Sequence, residues 1–231
     1  MKNQKTKGKP ETIEPDQPIN QLTNTYHVPV LLNEVVGGLN IQPDGIYVDC
    51  TFGGGGHSKA ILQKLSAKGK LVAFDQDDDA RKNLPDDNRI LFVPQNFRHL
   101  QRFLRLHHIT AVDGIMADLG VSSHQFDEAD RGFSIRHNAE LDMRMDQRQT
   151  LMAFDVVNTY TEQRLHKLFE EYGEVTNAKT LAKTIVQVRN STSLKTIDSF
   201  KNALREIVKG NPNKYFAQVF QALRIEVNDE L

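Results

Sequence analysis

Four consecutive glycines, Gly53–Gly56, follow a β-branched and aromatic run, Ile46-Tyr47-Val48, that closes in Asp49 and Thr51. Behind them Ala60, Ile61, Leu62 and Leu65 recur with helical period. The order reads as strand, tight glycine turn, helix. Such a turn lets a ligand approach the backbone with no Cβ in the way, and it aims a helix N-terminus at that ligand. The next apolar run, Lys70 to Gln76, carries Asp75 near its end, where a carboxylate can accept hydrogen bonds from ribose hydroxyls. A further run, Asp113 to Leu119, ends in Asp118 and Gly120. If the strands form the usual doubly wound sheet, Gly53–Gly56, Asp75 and Asp118 converge on one crevice at the carboxyl ends of the strands.

The glycine spacing limits what that crevice holds. In a dinucleotide fingerprint begun at Gly53 and Gly55, the third glycine falls on Ser58. A P-loop needs lysine then serine or threonine after its glycine, whereas His57, Ser58 and Lys59 stand here. Both phosphate cradles fail in detail. The turn suits a cofactor without phosphates, and S-adenosylmethionine is one. Methyl transfer asks mainly for in-line positioning in a dry pocket, because the sulfonium is already an activated electrophile. Asp118 is placed to accept hydrogen bonds from an acceptor amine; it equally suits a cofactor contact or a loop cap.

These residues require a parallel sheet to position them. Strands are expected at Ile46–Asp49, 70–76, Ile90–Val93 and 113–119, alternating with helices at 57–65, 78–84 and 99–107. That alternation implies right-handed crossovers and an α/β fold. Before them, Val30, Leu31, Leu32, Val35 and Val36 suggest one apolar helix face closed by Gly37-Gly38. Residues 1–25 are polar and rich in lysine and proline, a disordered tail, with order beginning near Tyr26-His27. The acidic run Asp75 to Asp79 is not a calcium loop: Ala80 stands where such a loop needs glycine, and a strand precedes it. Asp77 or Asp78 suits a helix cap instead.

Composition sets the class. Hydrophobic residues at 39% and charged residues at 26% belong to a soluble globular chain, and a net charge of −1 excludes a uniformly basic protein. Cys50, the single cysteine, excludes a disulfide framework and reads as a small residue at a buried strand end. No apolar run approaches the roughly 18 residues of a membrane span, and no signal peptide opens the chain, so a cytoplasmic location is expected.

After Gly120 the period is lost. Residues 121–148 are irregular, with Ser122, Ser123, Gln125, Arg131, Gly132, Phe133 and Arg144 among them. From Thr150 onward helix follows helix, with stripes on Leu165, Leu168, Phe169 and Tyr172, then Leu181, Ala182, Ile185 and Val188, then Ile197, Phe200 and Leu204. Pro212 opens a last helix with Phe216, Val219, Phe220, Leu223 and Val227. Between Ala178 and Arg224 nine bases stand against two acids, a local charge of +7. Lys179, Lys183, Arg189, Lys201, Arg205, Lys209 and Lys214 are therefore candidate phosphate contacts for RNA, or a solvated set of helix faces.

HVPVLLNEVV (27–36), DCTFGGGGHS (49–58), DLGVSSHQ (118–125), DRGFS (130–134), LDMRMD (141–146) and FQALRIEVNDEL (220–231) resemble the 16S ribosomal RNA cytosine-N4 methyltransferase family, RsmH or MraW. The motifs run in the family's order from residue 27 onward. The resemblance implies a class I S-adenosylmethionine-dependent, Rossmann-like sheet interrupted by an all-helical insertion. It implies a tail over 1–25, a methyltransferase core with the first four strands over 26–125, a loop and helical domain over 126–212, and a return to the core from 213. The implied reaction is methylation of N4 of a cytosine in the decoding region of 16S ribosomal RNA, free or in the small subunit, with no metal. Implied cofactor contacts are Gly55, Gly56, His57, Asp75, Phe97, Asp118 and Gln125, with Phe97 against the adenine and Asp118 also positioning the amine. A homodimer is compatible with this reading. His124 and Ile135 depart from the family's usual proline and phenylalanine. The family continues past the RIEVNDEL segment with the remaining sheet strands, so a truncated chain is expected here. Its rivals are a catalytically incomplete RNA- or ribosome-binding remnant and a methyltransferase acting on DNA or protein amines.

Overall fold

The computed structural model describes residues 29–230, apart from the side chains of Ser123 and His124. The expected tail over 1–25, its ordered start at Tyr26-His27, and Leu231 lie outside the described residues.

Four strands, β1 (Ile46–Asp49), β2 (Lys70–Phe74), β3 (Ile90–Val93) and β4 (Gly114–Met116), form a parallel sheet in the order β3-β2-β1-β4. Val48 lies opposite Val72 on one side and Ile115 on the other. The strands are short and apolar because both faces are covered, as parallel sheets require. Tyr47 and Leu71 point to one face, where Ile61, Leu62 and Leu65 of α2 (Gly56–Lys64) and its end pack, with Val35 of α1 (Leu32–Gly38) beside them. Val48, Val72 and Phe74 point to the other, against Phe103 and Leu104 of α3 (Leu100–Leu106). The alternation along β1 and β2 thus assigns each layer its residues.

The expected apolar helix face over 30–36 forms only in part. Leu31 adopts a left-handed conformation, φ 52°, and caps α1, so Val30 and Leu31 stay exposed. The reason lies in the glycine turn. Pro29 packs against Gly56, and the His57 ring nitrogen Nε2 sits 3.1 Å from the Val30 carbonyl oxygen. The segment preceding α1 is drawn over the turn instead of joining the helix.

A larger, mainly helical core follows the sheet. α5 (Ala153–Thr159), α6 (Glu162–Glu171), α7 (Ala178–Val188), α8 (Ile197–Leu204) and α9 (Pro212–Asn228) bury Val156, Leu165, Phe169, Leu181, Ile185, Phe200, Val219 and Leu223 together. Local chemistry sets their ends. The Thr161 hydroxyl accepts from the Arg164 N–H, and Thr196 and Ser199 bond reciprocally across the first turn of α8. Pro212 occupies the first turn of α9, with the Asn211 side chain accepting from Asn213 and Lys214 N–H groups. Among the described residues no helix is long and apolar enough to cross a membrane.

The segment 141–146 joins the two cores. Its Met143 is buried in the left-handed region, φ 62°, a conformation that costs about 1–3 kcal/mol unless the surroundings enforce it. They do. Met143 N–H donates to the Arg131 carbonyl, while the buried Asn228 at the end of α9 donates to the Met143 carbonyl and accepts from Met145 N–H at 2.6 Å. The Asn228 carbonyl in turn accepts from Asn96, just past β3.

Candidate active site

The glycine turn begins where β1 leaves the sheet. Phe52 N–H donates to the Phe74 carbonyl of β2, and Gly55 N–H closes back on the Phe52 carbonyl at 2.7 Å. Gly55 sits at φ 75° and caps α2; a Cβ there would meet the Phe52 ring at 2.8 Å. A Cβ on Gly53, φ 50°, would meet nothing nearer than the Thr51 carbonyl at 3.9 Å, so that glycine leaves open space at the mouth of the turn. The turn is therefore tight on its inner side and open on its outer side.

Acids gather around it. Asp75, at the exit of β2, accepts from Gly53 N–H at 2.7 Å and from Asp77 N–H at 2.9 Å. Burial pushes its carboxyl up to about 6, against those two donors, and the neighbouring Asp77 and Asp49 carboxylates raise it further. Asp49, wholly buried at the end of β1, is also raised, chiefly by burial; the Ser58 hydroxyl and Thr51 N–H that donate to it oppose the shift. The charge of Asp118 adds to that rise, which places its carboxylate within electrostatic reach of Asp49. Asp118 is exposed past β4, and its N–H donates to the Thr51 hydroxyl at 2.8 Å, tying the β4 exit to the glycine turn. Gly53–Gly56, Asp75 and Asp118 thus meet at the carboxyl ends of β1, β2 and β4. Cys50 is buried beside them with its thiol pushed up to about 11, mainly by burial, the condition of a packing residue and not of a nucleophile.

Phe97 opens the turn after β3 and is half-buried, packed with the cluster of Val48, Phe74 and Val93. His57 is buried in the first turn of α2. Gln125 lies in a short helix, α4 (Ser123–Asp127), with its amide held at both ends: Nε2 donates to Asp77 at 2.9 Å, and Oε1 accepts from Ser122 N–H at 3.1 Å. Asp77 caps the following 3₁₀ turn by accepting from Asp79 N–H, as its position predicts. It also pairs with Arg131 at 3.0 Å, a buried ion pair that sequence inspection does not find. The two residues are 54 positions apart, and no periodic pattern links them; the only signal is that both stand in motif-rich, irregular segments.

The basic segment divides. Lys179, Lys183, Arg205, Lys209 and Lys214 are exposed. Asn177, which precedes α7 and Lys179, donates to the Ile207 carbonyl between Arg205 and Lys209, so the start of α7 lies beside the 205–209 segment. Arg189 and Lys201 are spent internally. Arg189 donates to the carbonyls of Val157 and Tyr160, and Lys201 donates to the Ile135 carbonyl while lying over the Phe216 ring. A polar cleft of about 450 Å³ separates the β2 and β3 exits, at Gln76 and Asn96, from Tyr160, Arg164 and Glu226 of the helical part. Sequence inspection does not reveal this cleft, because its walls come from segments far apart in the chain.

Residues 24–231 match the family model described as the MraW methylase family. The protein called ribosomal RNA small subunit methyltransferase H in Flavobacterium johnsoniae is 57% identical over 210 residues, covering 90% of this chain and 70% of that one. Its namesake in Bacteroides thetaiotaomicron is 54% identical over 208 residues, covering 90% and 68%. A solved putative methyltransferase from an antibiotic biosynthesis pathway of Anabaena variabilis aligns with a TM-score of 0.32 at 18% identity, over 55% of this chain and 51% of that one.

Proposed function

The chain belongs to the MraW methylase family, and from that premise we propose that it methylates the N4 amine of a cytosine in the decoding region of 16S ribosomal RNA, using S-adenosylmethionine. The observation that carries the donor is the ring of carboxylates. Asp49, Asp75 and Asp118 surround a glycine turn, with the Asp118 charge raising Asp49 and the Asp49 charge raising Asp75 on top of the dominant effect of burial. Such a crevice repels phosphates and favours a cationic sulfonium and its ammonium tail. The open outer side of Gly53 fits a ligand lying against the backbone. The relatives' shared name, a methyltransferase of small-subunit ribosomal RNA, supports the acceptor.

S-adenosylmethionine, when bound, supplies a methyl group on a sulfonium that needs no further activation. The chain's own residues bind and orient. Gly55, Gly56 and His57 shape the turn, Asp75 accepts from ribose hydroxyls, and Phe97 offers an apolar ring for the adenine. Gln125 contributes the unused hydrogen of its amide nitrogen. Asp118, exposed beyond β4, accepts from an N–H of the incoming N4 amine and aims its lone pair in line. The proton that N4 would lose on methylation would pass to the Asp118 carboxylate that accepts from it, and from that exposed side chain to solvent. Lys179, Lys183, Arg205, Lys209 and Lys214 hold RNA phosphates. Arg189 and Lys201 support the helical core that carries them.

The test is transfer of labelled methyl from S-adenosylmethionine to small-subunit RNA and particles, with the modified base mapped. Label on N4 of a cytosine, lost in Asp118→Ala, is the expected result. Label on another base or on protein would overturn the acceptor, and tight RNA binding with no transfer would favour an RNA-binding role.

A further inference from the structure

The buried Arg131 guanidinium is held by contacts to two carboxylates and two backbone carbonyls. Its Nη2 donates to Asp77 at 3.0 Å and to the carbonyls of Arg144 at 2.9 Å and Met145 at 3.2 Å. Its Nη1 donates to Asp79 at 3.2 Å and lies 3.5 Å from the second Asp77 oxygen. Arg131 is 9% exposed and Asp77 6%, so neither charge is relieved by water. Asp77 is the shared node. The oxygen that takes Arg131 also takes the Gln125 amide, and the Asp77 N–H holds Asp75. A buried carboxylate left without its partner charge reorients or takes up a proton. Either change removes the fixed acceptor that orients the Gln125 amide.

We propose that Arg131 is a positioning residue for methyl transfer: through Asp77 it fixes the Gln125 amide that faces the methyl donor, and it ties that contact to the 141–146 segment beneath the helical core. This rests on the reading that Gln125 touches S-adenosylmethionine. Lysine can keep a charge beside Asp77 but cannot reproduce the orientation arginine imposes. An ammonium is a point donor, whereas the observed geometry uses a planar fork against Asp77, Asp79 and two carbonyls.

Calorimetric titration of the full chain with S-adenosylmethionine tests this. Arg131→Met and Gln125→Ala should each weaken binding about tenfold, the scale of one lost hydrogen bond of this kind. Together they should weaken it no more than either alone, because both remove the same oriented contact. Effects that multiply in the double variant would overturn the proposal, as would a Gln125→Ala variant that binds like the parent. Arg131→Lys should recover thermal stability but not affinity; recovery of both together would mean a role in folding only. If Arg131→Met fails to fold, Asp77→Asn, which keeps shape and removes the charge, enters the same cycle with Gln125→Ala. Binding by the parent chain that is lost in Asp75→Ala keeps the crevice reading standing whatever Arg131 does. A parent chain that does not bind would overturn both.

Discussion

Asp75 carries the clearest chemical signature of any single residue. Its carboxyl is pushed to about 6 from an ordinary 3.8 by burial, so the folded chain holds a proton that the unfolded chain has already released. Its contribution to stability is therefore present below 3.8 and is lost as pH rises through about 6. On the proposed reading donor binding runs the other way, since ribose hydroxyls donating to Asp75 favour the ionised form. Affinity for S-adenosylmethionine should climb from about pH 5 to about pH 7 while stability against urea falls slightly over the same window. Asp75→Asn should flatten both trends, and titration calorimetry with urea midpoints at several pH values measures them. Affinity independent of pH in the parent chain would mean that Asp75 binds no hydroxyl. The place of Asp75 at a strand end beside the glycine turn is also legible from sequence. Arg131 is the opposite case. A tertiary ion pair across 54 positions leaves no trace in local pattern.

At the scale of elements, the order strand–glycine turn–helix was legible because each step has its own period, and the sheet order β3-β2-β1-β4 sets β4 beside β1 as the usual doubly wound topology does. What local pattern missed is competition between elements. Val30 and Leu31 have the spacing of a helix face, yet the glycine turn captures the backbone beside them through Pro29 and His57. The turn itself makes a differential prediction. Gly55→Ala meets both the left-handed penalty, about 1–2 kcal/mol, and the Phe52 ring, and should lower the urea midpoint clearly. Gly53→Ala meets the penalty but open space, so its methyl should cost less stability and more donor affinity. Equal effects of the two on both readouts would show that the outer side of the turn is not where the donor lies.

The molecule as a whole gathers carboxylates at the strand ends of one core and exposes lysines and arginines on the other, within a chain of net charge −1. Sequence counting finds the bases but not their employment: burial turns Arg189 and Lys201 inward, and only a folded core decides that. RNA binding should accordingly respond to Lys179→Glu, Lys209→Glu and Lys214→Glu by a flatter salt dependence, the log–log slope falling by about 0.7 to 1 per phosphate contact removed. Lys201→Gln should leave that slope unchanged and lower thermal stability instead. A slope untouched by the three surface changes would move the RNA elsewhere.

One buried amide gives the union of the two cores a measurable clock. Asn228 takes the Met145 N–H at 2.6 Å inside a loop that has no strand partner there, and it reaches Asn96 past β3 with its own carbonyl. Loop amides ordinarily trade hydrogen for deuterium quickly, through small local openings. The Met145 amide should instead exchange as slowly as those of β2, because releasing it requires the end of α9 to leave both cores. Asn228→Ala should speed Met145 and leave Val72 slow. Rapid exchange at Met145 in the parent chain would mean that the helical part swings away from the crevice in ordinary thermal motion.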